Sequence, residues 1–188
     1  RTESQFDFIN FLAQQYDVWQ NLKGEEKKKF SHIPLRITQY ARLGAIDIRY
    51  VDSFREDDPQ SKVNLAIKEI KKIYDEFDDL KGTQFIFVDQ QKSLDGRIDI
   101  YHDIKKKLIK AGIPKSEILL VNPKTFKGKD KDKKRQAAFE AMNRGEYRIA
   151  IGGTMTLGTG VNAQKLAAGA HSIDTPWMPH EIIQREAR

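Results

Sequence analysis

The chain has 188 residues, 39% of them hydrophobic, enough for one ordinary domain and an appendage around a packed core. It contains no cysteine, which excludes disulfides and thiolate metal sites, and no apolar run approaches the roughly 18 residues of a membrane span. Thirty-three Lys and Arg against 27 Asp and Glu leave a formal +6, a balance that permits nucleic-acid binding without requiring it. These bounds fit a soluble intracellular protein. The opening RTESQFDFIN lacks the basic region and apolar core of a signal peptide, and a start at Arg1 rather than methionine points to a piece of a longer chain.

In chain order, Ser4 precedes a helical stripe of Phe8, Leu12, Gln15, Trp19 and Leu22, with Phe11 and Val18 beside it, ended by Gly24. Pro34 opens a second short helix whose Leu35, Ile37, Tyr40 and Ala41 lead to Gly44 at a C-cap position. Residues 1–60 therefore read as a helical extension, with DSFREDDPQSK as linker into residues 61–188. From Ser61 amphipathic helices alternate with short apolar strands. Ala66, Ile70, Ile73, Phe77 and Leu80 mark a helix, and Phe85 to Val88 a fully buried strand. Tyr101, Ile104, Leu108 and Ile109 form a helix closed by Gly112 and Pro114, followed by a strand at Ile118 to Val121. Ala138, Phe139 and Met142 mark a helix closed by Gly145. Strands at Arg148 to Ile151 and Ala170 to Asp174 follow, and Pro179 starts a last helix. Such alternation predicts an α/β fold, three layers with a mainly parallel sheet, with ligands at the carboxyl ends of the strands.

Several local signals compete for the chemistry. The stretch 122–136, NPKTFKGKDKDKKRQ, carries seven cationic residues against two Asp; it reads either as a solvated loop or as a contact for phosphate backbone. Gly158, Gly160 and Ala163 satisfy G-x-G-x-x-A, but six residues, Gly152 to Leu157, separate Ile151 from the first of these glycines, too many for a dinucleotide fingerprint. No G-x-x-x-x-G-K-[S/T] loop exists, and DEFD at Asp75 to Asp78 lies on a charged helix face rather than at a strand end. The four histidines lack ligand spacing, so a metal site is not expected. Trp177, between two prolines, reads as core packing or a lobe-edge contact.

Residues 84–89, QFIFVD, then 149–164, IAIGGTMTLGTGVNAQ, then 174–188, DTPWMPHEIIQREAR, resemble motifs IV, V and VI of superfamily two helicases and translocases, in order and at sensible spacing. Ser61-Lys62 also resembles the Ser-Lys that opens the second lobe of chromatin-remodelling-type members. The combination of GTMTLGTGVNAQ, D-x-P-W-x-P and Q-R-E-A-R is most similar to the Strawberry-notch-like helicases of phages, plasmids and conjugative elements, often fused to an adenine-specific DNA methyltransferase. ARLGAIDIRYVDSFREDDPQSK resembles their link into the second lobe.

The resemblance implies the second RecA-like lobe of an ATP-dependent DNA helicase, in a cytoplasmic setting, with residues 1–60 linking from the preceding lobe. Gly153, Thr154 and Met155 would then approach a backbone phosphate through main-chain N–H groups and the Thr154 hydroxyl. Asp89, Gln90 and Lys92 are further candidates for that contact. Gly158, Gly160 and Asn162 would face an ATP held, with its Mg, mainly by a first RecA-like lobe. On the last helix, Gln184 and Arg188 share a face with Arg185 one position round. The resemblance implies Arg188, or an arginine beyond it, as the finger that stabilises the transferred phosphoryl group. The family usually has glycine where Ala187 stands. Two other readings are carried: a non-catalytic nucleic-acid or protein-binding module on the same fold, and the helicase part of a methyltransferase fusion. No N/D-P-P-Y/F methyltransferase motif occurs in this chain.

Overall fold

The structure is a computed structural model that describes residues 2–187 other than Pro123, Lys124, Lys127, Thr159, Gly160, Val161 and Trp177. The expectations for Gly160, Trp177 and Arg188 therefore fall outside the described residues. The chain divides into two compact units, residues 1–64 with 92–98, and residues 65–91 with 99–188.

The first unit is helical. Helix α1 (Glu3–Asn21) is capped by Thr2, not Ser4, because the Thr2 hydroxyl accepts the Gln5 N–H while the Gln5 side chain reaches back to the Thr2 N–H. Gly24 does not end this helix; in a left-handed conformation (φ 56°) it opens the short helix α2 (Gly24–Lys29). In α3 (Ile33–Ile46), Gly44 lies inside the helix rather than at its cap. A Cβ there would sit 2.8 Å from the Phe8 ring, so this glycine lets α1 and α3 approach closely. The Gln5 amide seals the same contact by donating to the Gly44 and Ala45 carbonyls.

The second unit is α/β, an all-parallel sheet flanked by helices on both faces in a RecA-like arrangement. Its strands, β1 (Thr83–Phe87), β2 (Ile118–Val121), β3 (Ile149–Gly152) and β4 (Ala167–Ser172), stand in the order β2-β3-β1-β4. All three pairings are parallel. β1 and β3 are buried along their whole length, as continuous apolar runs between two helical layers should be. Helices α4 (Lys62–Glu76) and α5 (Ile100–Lys110) share one face. Gln84 donates from β1 to the Ile70 carbonyl, and Gly112, just after α5, lies against Lys71. Phe85, Phe87, Leu119, Val121 and Ala150 point to the other face, where they pack on Phe139 and Met142 of α6 (Lys131–Asn143) and Leu157 of α7 (Thr154–Leu157). Each large side chain fully buried here contributes roughly 2 kcal/mol.

Some predicted boundaries shift for physical reasons. Helix α4 stops at Glu76 and the chain turns through Phe77–Lys81. Arg148 supplies hydrogen bonds to the last carbonyls, and Leu80 is left 67% exposed. The lysine-rich stretch is not all loop, since its second half from Lys131 forms the start of α6. β4 begins at Ala167, using small residues that the apolar pattern did not flag.

The strand order fixes where a ligand can go. The connection after β1 leads to β2 on one side of the sheet order, whereas that after β3 leads to β4 on the other. Right-handed crossovers then send these two loops to opposite faces, opening a crevice between the carboxyl ends of neighbouring β1 and β3.

Candidate functional site

Four residues from separate segments meet at that crevice. Asp89 follows β1, Thr154 opens α7 directly after β3, Asp174 follows β4, and Arg185 lies on α8 (Pro179–Glu186). Arg185 is buried, 1% exposed, and donates in four directions. Its Nε bonds Thr154 Oγ1 (2.8 Å), Nη1 bonds the Asp174 carbonyl (2.8 Å), and Nη2 bonds Asp89 Oδ2 (2.7 Å) and Asp174 Oδ1 (2.8 Å). The guanidinium also lies over the Phe87 ring, 5.5 Å from its centroid.

The carboxylates are held from the other side by main chain. Asp89 Oδ1 accepts the Thr154 N–H (2.6 Å) and Oδ2 accepts the Thr154 hydroxyl (3.1 Å). Asp174 Oδ2 accepts the N–H groups of Asp89 (2.7 Å) and Gln90 (3.4 Å). Two acidic groups thus share one guanidinium, and the excess negative charge is met by oriented N–H dipoles. Tyr101 closes the floor. Its hydroxyl donates to the Val88 carbonyl (2.9 Å), and burial, then the Asp89 and Asp174 carboxylates, push its phenol well above the usual range.

Two glycines of the loop sit against close neighbours. A Cβ on Gly153 would come 3.0 Å from Asp89 Oδ1, and one on Gly158 would come 2.5 Å from the Thr154 carbonyl. Gly158 is thus demanded by the turn after α7 itself. Asn162 holds that turn to α6, its carbonyl accepting from Asn143 Nδ2 (2.7 Å).

Of the sequence-predicted residues, the fold brings Asp89, Gly153, Thr154 and Arg185 together, with the Gln90 N–H at the edge of the same network. Their hydrogen bonds lie within the protein. Thr154 is buried and directs both donors to Asp89, so its hydroxyl shapes the loop instead of facing an outside phosphate. Asp89 presents negative charge, and its function here is to anchor Thr154 and Arg185. Arg185, fully engaged inside the protein, is a tie between loops rather than a group free to meet a phosphoryl oxygen. Met155 faces solvent, 72% exposed, and Asn162 and Gln164 further along the loop are exposed as well. Gln184 keeps its Oε1 buried with no hydrogen-bond partner among the described residues. Lys92 belongs to the first unit, with residues 92–98. Beyond Arg185, Gln164 at the end of the glycine loop donates to the Ala187 carbonyl (3.0 Å), a second link between the loop and α8.

Sequence reasoning missed Asp174 and Arg135. Asp174 stands in the quoted D-x-P-W, but no local pattern says that its carboxylate turns back to meet Arg185. Arg135, on α6, donates to the Thr156 carbonyl (2.8 Å) and buttresses the loop from the far side. Among the described residues no group of three or more His, Asp or Glu side chains could hold a metal ion. Among them, too, no helix is long and apolar enough to cross a membrane. No protein-family model matches the chain, and no curated protein matches it.

Proposed function

We propose that this chain is the second RecA-like lobe of an ATP-dependent DNA helicase or translocase of the Strawberry-notch-like type, in a bacterial, phage or plasmid setting. The observation that carries the reading is the convergence on Arg185. The segments resembling motifs IV, V and VI, far apart in sequence, supply Asp89, Thr154 and Arg185 to one buried polar cluster at the switch point of the sheet. Such a cluster joins a loop suited to meet nucleic acid with a helix suited to meet nucleotide.

In this reading Met155 and its neighbours present the loop to the DNA backbone, while Gly153 and Thr154 set its shape. A partner first lobe supplies the Walker lysine and acidic box that this sequence lacks, and with them most of the ATP and Mg contacts. The residues of this lobe bind and orient. When ATP closes the cleft, any movement of α8 is passed through Arg185 to Thr154, because the guanidinium cannot shift without breaking bonds to both carboxylates. Arg188 remains the proposed finger, acting on the transferred phosphoryl group.

Two measurements test this. The 188-residue chain should bind labelled DNA with no ATP turnover of its own. Met155→Glu should abolish binding while leaving the melting temperature unchanged; unaltered binding would remove the loop from the interface. In a chain carrying both lobes, Arg188→Ala should lower ATP turnover far more than ATP binding, and unchanged turnover would end the finger assignment.

A further inference from the structure

We infer that the amino-terminal end of α6 is a second docking surface for nucleic-acid backbone, continuous with the loop after β3. The inference rests on the proposed nucleic-acid function and extends it to residues outside the helicase-like motifs. Lys129, Lys131, Lys133 and Lys134 are all exposed, and none has a side-chain partner among the described residues. The two nearby carboxylates, Asp130 and Asp132, leave the segment from Lys129 to Arg135 with five cations against two anions.

These lysines stand where their own helix does not favour them. The start of a helix carries the positive end of its dipole, and basic residues there are repelled by it. Asp130, at the N-cap, makes no side-chain bond to relieve that repulsion. Asp132 in the first turn offsets part of this charge, and the remaining lysines with the helix dipole leave a net positive region.

Position gives the region its partner. In a strand–helix–strand unit the helix starts at the carboxyl edge of the strand before it, so the start of α6 lies on the same edge as Asp89 and Thr154. Arg135 then fixes the distance: its bond to the Thr156 carbonyl ties the first turns of α6 to the residue beside exposed Met155. The lysines thus prolong the loop's surface. Phe139 is buried in the core, so beside exposed Met155 this surface offers a partner mainly positive charge. Flexible ammonium groups spaced along one edge suit the regular charge of a phosphodiester chain, whether of one strand or two.

The test is the salt dependence of binding by the 188-residue chain. Labelled single-stranded and duplex DNA are titrated between about 50 and 200 mM salt. Changing all four lysines to Gln should reduce the slope of log affinity against log salt by about 3, from four lost contacts at roughly 0.7–0.9 each. Changing them to Arg should leave it intact. Should the fourfold Gln chain melt early, Lys131→Gln with Lys134→Gln serves, with about half that loss expected. A wild-type chain that binds DNA with a slope unmoved by the Gln changes overturns the α6 surface and leaves the loop reading standing. A wild-type chain that binds no DNA overturns both, and lysine-dependent binding of polyaspartate in place of DNA assigns the surface to an acidic protein instead.

Discussion

Arg148 and Arg185 are each 1% exposed and each donates four hydrogen bonds, at opposite ends of the same sheet, yet they hold different things. Arg148 serves carbonyls. It bonds those of Tyr74, Phe77 and Gly82, stacks 3.8 Å from the centre of the Tyr74 ring, and meets a carboxylate only at the exposed Asp78. Tyr74 belongs to the last turn of α4, Phe77 to the turn after it and Gly82 to the entry into β1, so Arg148 closes the path from helix end to strand start from a distant strand. Arg185 serves two carboxylates, a hydroxyl and one carbonyl, from partners as far as 96 positions away. A buried arginine among carbonyls closes one turn; a buried arginine between carboxylates of separate loops makes those loops move as one.

The largest expected effect separates the two. Arg185→Met leaves Asp89 and Asp174 without a cation and should lower stability by about 3–5 kcal/mol in urea unfolding. It should also remove DNA binding from whatever remains folded. Arg148→Met orphans carbonyls and should lower stability by about 1–3 kcal/mol while the folded chain binds DNA as before. Equal losses of binding in the two variants would erase the distinction. Next comes Thr154→Val, which deletes the hydroxyl between Arg185 and Asp89 and should destabilise by about 1–2 kcal/mol, with Thr154→Ser retaining most of it. A double-mutant cycle of Thr154→Val with Arg185→Met should give coupling of about 1 kcal/mol, and a cycle of Thr154→Val with Arg148→Met none.

The smallest effect is a pH dependence on neither arginine. Burial holds the His171 imidazole, paired with Gln84 at 2.8 Å, below its usual pKa. The unfolded chain therefore takes up that proton first, and stability should fall as pH drops below about 6.5 and stay level above it. His171→Gln should flatten that limb in pH-dependent melting curves; an unchanged curve assigns the slope to other groups.

The pattern of the sequence made the layers of the fold readable because burial on both faces writes continuous apolar runs such as Phe85 to Val88, and burial on one writes the spacing of α4 and α5. It did not make α2 readable, since GEEKKK has no apolar face, nor the position of Gly44, which depends on Phe8 from another helix. The candidate site was legible as segments and not as contacts. Gly153, Thr154 and Asp89 could be named from their neighbours in sequence, but a buried arginine has the same letter as a solvated one. Only the approach of Asp174 and Asp89 reveals that Arg185 faces inward.

The sheet order has a consequence for how the chain reaches this state. β1 is central, and its partners come late: Gln84 pairs with Ile149 and Thr83 with Ala167. During synthesis Phe85 and Phe87 must wait, unpaired, until β3 has emerged, so folding should be slow and dominated by distant pairings. Throughout that interval QFIFV is an uncharged strand-forming segment open to association with other chains. A strand that will lie fully buried in the native state is thus in need of protection before it.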